Sequence, residues 1–153
     1  MTDVVDSATR SRMMSGIKGI NTNPEKQIRS ILHRNGFRFS LHPKDLPGKP
    51  DIVLPKYGAV IFVHGCFWHR HRCGLFKWPK SNPEFWRRKI EGNTQRDKVK
   101  IRALRKCGWR ILVVWECALK GKTRCQTADL SVALRQWLTS SESQSELVPS
   151  LKG

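Results

Sequence analysis

Acidic residues are few: 12 Asp and Glu stand against 29 Lys and Arg in 153 residues. The resulting net charge of +17 points to a polyanionic partner. No apolar run approaches the length of a membrane span, and no basic amphipathic anchor stands out. Nucleic acid is therefore favoured over an anionic membrane surface, and no membrane association is expected. Residues 1–6 carry neither a basic n-region nor an apolar h-region, so no signal peptide is expected and a cytoplasmic protein is the default. Cysteine is sparse and odd in number, with Cys66, Cys73, Cys107, Cys117 and Cys125, which argues against a disulfide framework. Repeats are absent, and the length suits one domain with one core and short tails.

What is present can be ordered along the chain. Residues 1–20 read as a basic arm with a short helix from about Ala8. Asn23-Pro24-Glu25 reads as an N-cap, a proline suited to the first turn and an acid at the positive helix end. Ile28, Ile31 and Leu32 keep helical spacing, and Asn35-Gly36 is a stop. Residues 37–41 alternate as a strand, residues 51–54 form a second, and the β-branched run 59–63 reads as a buried third. Asn82-Pro83-Glu84 opens a long basic helix that ends near Cys107 and Gly108. Residues 109–115 give the strongest strand signal, and Leu130, Leu134, Trp137 and Leu138 mark a last helix. The domain proper is set at residues 21–138. Residues 139–153 are rich in Ser and Glu and are expected to be a disordered tail. The element order predicts an α/β sandwich with a mixed central sheet.

Cys66, His69, His71 and Cys73 fall within eight residues, and Cys117 follows the strongest strand. A closed zinc site takes four sulfur or nitrogen ligands in a tetrahedron. Cys66, Cys73, Cys117 and one histidine would supply them and staple an aperiodic loop to the sheet. The competing reading treats these cysteines as small buried hydrophobes. Spacing does not choose between His69 and His71.

Pro50-Asp51 starts a strand that turns into a second one ending at His64. Many Mg²⁺ nucleases place a proline-aspartate and an acid-x-lysine across such a hairpin, where the carboxylate holds a hard cation against a phosphate. Here Phe62-Val63-His64 stands in place of the acid-x-lysine, which makes His64 and His69 candidate proton carriers. Asn93 and Asp97, four apart, share a helix face. Glu25 is accounted for by the helix dipole alone. Phe67, Trp68, Phe76 and Trp78 sit in or near the cysteine-histidine loop, and Phe85 and Trp86 open the basic helix. Aromatics beside positive charge suit insertion between base steps. Arg87, Arg88, Lys89, Arg96 and Lys98 suit phosphates.

Together these residues resemble the bacterial very-short-patch repair endonucleases. The text that carries the resemblance is Ala8-Thr9-Arg10-Ser11, Leu46-Pro47-Gly48-Lys49-Pro50-Asp51, and the block from Val60 to His69 with its His-Gly-Cys-Phe-Trp-His core. His71-Arg72-Cys73, Glu84-Phe85-Trp86, Lys89-Ile90 with Asn93, Arg96-Asp97, Gly108-Trp109-Arg110 and Val114 to Leu119 extend it. Coverage runs from about residue 6 to 138. The resemblance implies a restriction-endonuclease-like fold and hydrolysis of one DNA strand 5′ to the T of a T:G mismatch. It implies that Asp51 and the backbone carbonyl of Val63 hold Mg²⁺, and that Glu25 bonds water on that metal. It implies that His69 acts at the nucleophile and scissile phosphate, and that His64, paired with Asp97, supports the metal-water network with Asn93. It assigns a structural zinc to Cys66, His71, Cys73 and Cys117. It assigns intercalation beside the mismatch to Phe67, Trp68 and Trp86, and brings Met14 to the minor groove. The expected partner is duplex DNA with a T:G mismatch, bound by a monomer, with repair accessory proteins as further partners.

Overall fold

A computed structural model describes residues 22–43, 45–66, 69, 77–120 and 124–149. Among these residues three α-helices flank a five-stranded mixed sheet whose strands lie side by side in chain order. The strands are β1 (Ser40–Leu41), β2 (Ile52–Leu54), β3 (Ala59–His64), β4 (Arg110–Trp115) and β5 (Gln144–Leu147). The helices are α1 (Asn23–Arg34), α2 (Pro83–Lys106) and α3 (Thr127–Leu138). β1 to β3 pair antiparallel as a meander. β3, β4 and β5 pair parallel, with α2 as the crossover between β3 and β4.

The apolar runs form β3 and β4 because both faces of this central pair are covered. Alternation splits their side chains into two cores. Ile52, Leu54, Ile61, Leu112 and Val114 meet Ile28, Ile31 and Leu32 of α1 and Leu130, Leu134 and Trp137 of α3. On the other face Val53, Val60, Phe62, Ile111, Val113 and Trp115 meet Leu104 and Ile101 of α2. α2 has 24 residues, so it runs about 36 Å, and most of its length is exposed.

Three details depart from the sequence expectation. The α1 cap is Thr22, whose Oγ1 accepts from the Glu25 amide at 3.4 Å, one residue before Asn23. Only Ser40 and Leu41 of the 37–41 segment pair as strand; Phe37 and Phe39 instead pack against the core. Residues 144–147, expected in a disordered tail, form β5 and pair with Ile111 to Val114. Arg110 explains how such a polar segment is held. Its guanidinium donates to the carbonyls of Trp137 at 2.6 Å and Leu138 at 3.2 Å, and its Nε donates to Glu142 at 2.9 Å. A cation at the carbonyl end of α3 is favourable, and it fixes the chain as it enters β5.

Candidate active site

Two side-chain clusters lie near the end of β3. The first begins in the first turn of α1, where Glu25 is 1% exposed. Its Oε2 accepts from Arg29 at 2.8 Å, one helical turn on. His42 lies opposite Asp51, its amide donating to the Asp51 carbonyl at 3.2 Å. The His42 ring approaches both acids, 3.3 Å from Glu25 and 3.9 Å from Asp51. Asp51 Oδ2 accepts from the Val63 amide at 2.7 Å. One ligand atom from each of Glu25, His42 and Asp51 lies within 4.8 Å of the others. Burial raises the Asp51 carboxyl to about 7; the Glu25 charge and its hydrogen bond add to this, against the Val63 amide and Arg29. Two neighbouring carboxyl groups largely shut off from water favour a shared proton or a cation.

The second cluster centres on His64, one residue further along β3. His64 stacks on His69 with ring centroids 3.8 Å apart and planes 5° from parallel. Asp97 of α2 bonds His69 Nδ1, and ligand atoms of all three residues lie within 4.8 Å of one another. Burial holds His64 down at about 3, helped by the charges of His69 and Lys100 and opposed by Asp97. His64 is therefore a neutral ring against which His69 is held. The hydrogen bond of Asp97 goes to His69, whereas the family resemblance paired it with His64.

The other expected residues divide clearly. Asn93, one turn before Asp97, accepts from Arg96. Trp86 packs edge-to-face with Phe85 at 5.2 Å, and Phe85 is 52% exposed. Arg87 lies over Trp78 at 5.4 Å. Cys66 and Cys117 are both buried at the ends of β3 and β4, and the Cys117 amide donates to Cys66 Sγ at 3.3 Å. Glu116 accepts from the Cys66 amide at 3.2 Å and from Lys120 at 2.7 Å, which ties the same two strand ends. His71 and Cys73, Phe67 and Trp68, and Met14 lie outside the described residues. Arg29 and His42 join the site without belonging to any sequence motif. Arg29 had a legible signal, the i,i+4 spacing from Glu25. His42 had none, since its place opposite Asp51 depends on strand register.

Acidic groups near the end of the central strand and an imidazole bonded to an aspartate are side chains of the kind that hold cations and move protons in hydrolytic enzymes. The chain matches the family model "DNA mismatch endonuclease Vsr" over residues 2–75. It is 46% identical over 138 residues to the DNA mismatch endonuclease Vsr of Escherichia coli, covering 90% of this chain and 88% of that one. It is 51% identical over 119 residues to the type II nicking enzyme V.XorIIP of Xanthomonas oryzae pv. oryzae, covering 78% and 88%. Against the type II nicking enzyme V.NmeAIP of Neisseria meningitidis it is 45% identical over 126 residues, covering 82% and 90%. The chain belongs to the Vsr family of DNA mismatch endonucleases.

Proposed function

We propose that this protein nicks one strand of duplex DNA 5′ to the T of a T:G mismatch left by deaminated 5-methylcytosine, and so starts very short patch repair. The observation that carries the reading is the bond from the Val63 amide to Asp51. It joins a cation-seeking acid cluster to a strand whose next residue, His64, backs the His69–Asp97 pair.

The buried acids suit a hard divalent cation such as Mg²⁺, held by Asp51 and the Val63 carbonyl with Glu25 beside them. When bound, it supplies positive charge for the scissile phosphate. Asp97 fixes His69 through Nδ1, which leaves Nε2 to take or give a proton at the reacting oxygen. Arg87, Arg88, Lys89, Arg96 and Lys98 are exposed along α2 and suit phosphates. Phe67, Trp68 and Trp86 would enter the base stack beside the mismatch, with Met14 approaching from the minor groove. The names of the relatives, a mismatch endonuclease and nicking enzymes, agree with cutting a single strand.

The test is a labelled T:G duplex incubated with protein and Mg²⁺. A single nick 5′ to the T is expected, and Asp51→Ala removes it. Double-strand cuts in mismatch-free plasmid would point to a restriction-type enzyme instead. Salt-sensitive binding with no Mg²⁺-dependent product would leave a DNA-binding module without catalysis.

Cys66, Cys117, His71 and Cys73 are proposed to hold a structural zinc. The amide that Cys66 sulfur accepts suits a metal-bound thiolate, and both described ligands sit at strand ends that need pinning. Metal analysis is expected to give about one zinc per chain. Cys117→Ser should lose the metal and its folded near-UV signal, while Cys107→Ser keeps both. A fully folded wild type without zinc refutes the assignment.

A further inference from the structure

The segment that delivers Asp51 is a tight turn. Lys49 donates its amide to the Leu46 carbonyl at 3.4 Å, and Pro47 and Gly48 take the two central places, with Gly48 at φ 76°. That pattern is the one in which proline precedes a glycine of positive φ. Gly48 has a second constraint that turn geometry does not impose. A Cβ on it would lie 2.7 Å from Lys100 Cβ, 2.9 Å from Lys100 Cγ and 3.4 Å from Lys100 Cα. The turn is therefore pressed against the body of α2, with no room for a methyl group.

Gly48 is three residues before Asp51, and Lys100 is three residues after Asp97. Leu46 anchors the same turn by packing on the α2-side core, beside Ile101 and Leu104. The contact thus lies between the segment that carries the acid cluster and the helix that carries the histidine-orienting carboxylate. Gly58 offers a natural comparison. It has φ 58°, yet a Cβ there meets nothing within 4 Å.

We propose that Gly48 is a positioning residue: the approach of its bare Cα to Lys100 sets the distance between Asp51 and the Asp97–His69 pair. Gly48→Ala must move either the turn or the helix by a few tenths of an ångström or more, and reacting groups tolerate little displacement. This rests on the proposed nuclease reading for its kinetic arm, and on the proposed Asp51 cation site, without any nicking, for a second arm.

The experiment compares Gly48→Ala, Gly58→Ala, Lys100→Gly and the double variant Gly48→Ala/Lys100→Gly. Removing the Lys100 side chain takes away both atoms nearer than 3 Å. Gly48→Ala should slow single-turnover nicking of the T:G duplex roughly 10- to 100-fold while duplex affinity stays within about twofold. Gly58→Ala, also at positive φ but with open space, should nick within about twofold of wild type. The double variant should return to within about threefold of Lys100→Gly. The second arm reads the Mg²⁺ concentration that half-saturates the thermal shift of the protein without DNA. It should rise in Gly48→Ala and fall back in the double variant. If Gly48→Ala does not fold, Lys100→Gly should restore folding. A Gly48→Ala protein indistinguishable from Gly58→Ala in both arms, or no restoration by Lys100→Gly, overturns the proposal. A wild type that does not nick would sink the nuclease reading alone, because the Mg²⁺ arm still reads the contact.

Discussion

Asp51→Asn is expected to abolish nicking and, in Mg²⁺-free buffer at pH 8, to make the protein more stable than wild type. The two effects have one cause. Asp51 is 14% exposed and shares its site with buried Glu25, so its carboxyl is raised from 3.8 to about 7. A group raised in the folded state favours folding in its protonated form and opposes it when ionised. The penalty is absent below the unfolded value of 3.8, grows as pH rises, and is complete above about 7. At roughly 1.4 kcal/mol per unit, this strain is on the order of 2–4 kcal/mol once screening and the neighbouring guanidinium are allowed for. Asparagine keeps an oxygen for the Val63 amide and offers Glu25 a donor in place of a like charge. A gain of about 4–16 °C in melting temperature at pH 8 follows for a chain of this size. The gain should be less than half as large at pH 5. Nicking should fall by about 10³-fold or more, since the cation loses its anionic ligand. A less stable Asp51→Asn protein at pH 8 would mean that the acid pair carries no strain for a cation to relieve. Stability given up at a site of chemistry is a common trade.

How far the sequence spoke for this arrangement differs from element to element. β3 and β4 announce themselves because they are buried on both faces, and a run such as Ala59-Val60-Ile61-Phe62-Val63 has little other use. β5 is silent because Gln144-Ser145-Glu146-Leu147 earns its place through backbone pairing and the Arg110 clamp, neither of which leaves a periodic trace. The same distinction runs through the site. His64, His69 and Asp97 are visible as residue types in suggestive places, and the structure brings them together. Glu25 carries a local explanation, the helix dipole, that is sufficient and hides its burial beside Asp51. His42 has no local signal at all, since it faces Asp51 only when β1 and β2 pair in register. Which imidazole Asp97 bonds is likewise a question of a helix crossing a strand end. No spacing along the chain carries that information.

Asp97→Asn should cost nearly as much activity as loss of the His69 ring itself, although Asp97 need touch no substrate. The carboxylate accepts from His69 Nδ1, which places the proton on that nitrogen and leaves Nε2 as the basic one. An asparagine can turn its amide toward Nδ1, and the proton then sits on Nε2, where a base is needed. A wrong tautomer in a correctly placed ring costs on the order of 10³- to 10⁴-fold. His64 cannot take over. It lies stacked on His69 and buried, held down at about 3, so it stays neutral through the working range. Single-turnover nicking of the T:G duplex with saturating Mg²⁺ gives the measurement. Asp97→Asn should fall by about 10³-fold or more, His69→Ala by a similar factor, and the double variant by little beyond either, because the two act as one unit. DNA affinity should stay within about twofold for all three. Independent, multiplying losses would separate the aspartate from the imidazole and assign Asp97 to the His64 side of the stack. Loss of affinity in place of rate would move it out of the chemistry altogether, to the fit between α2 and the duplex.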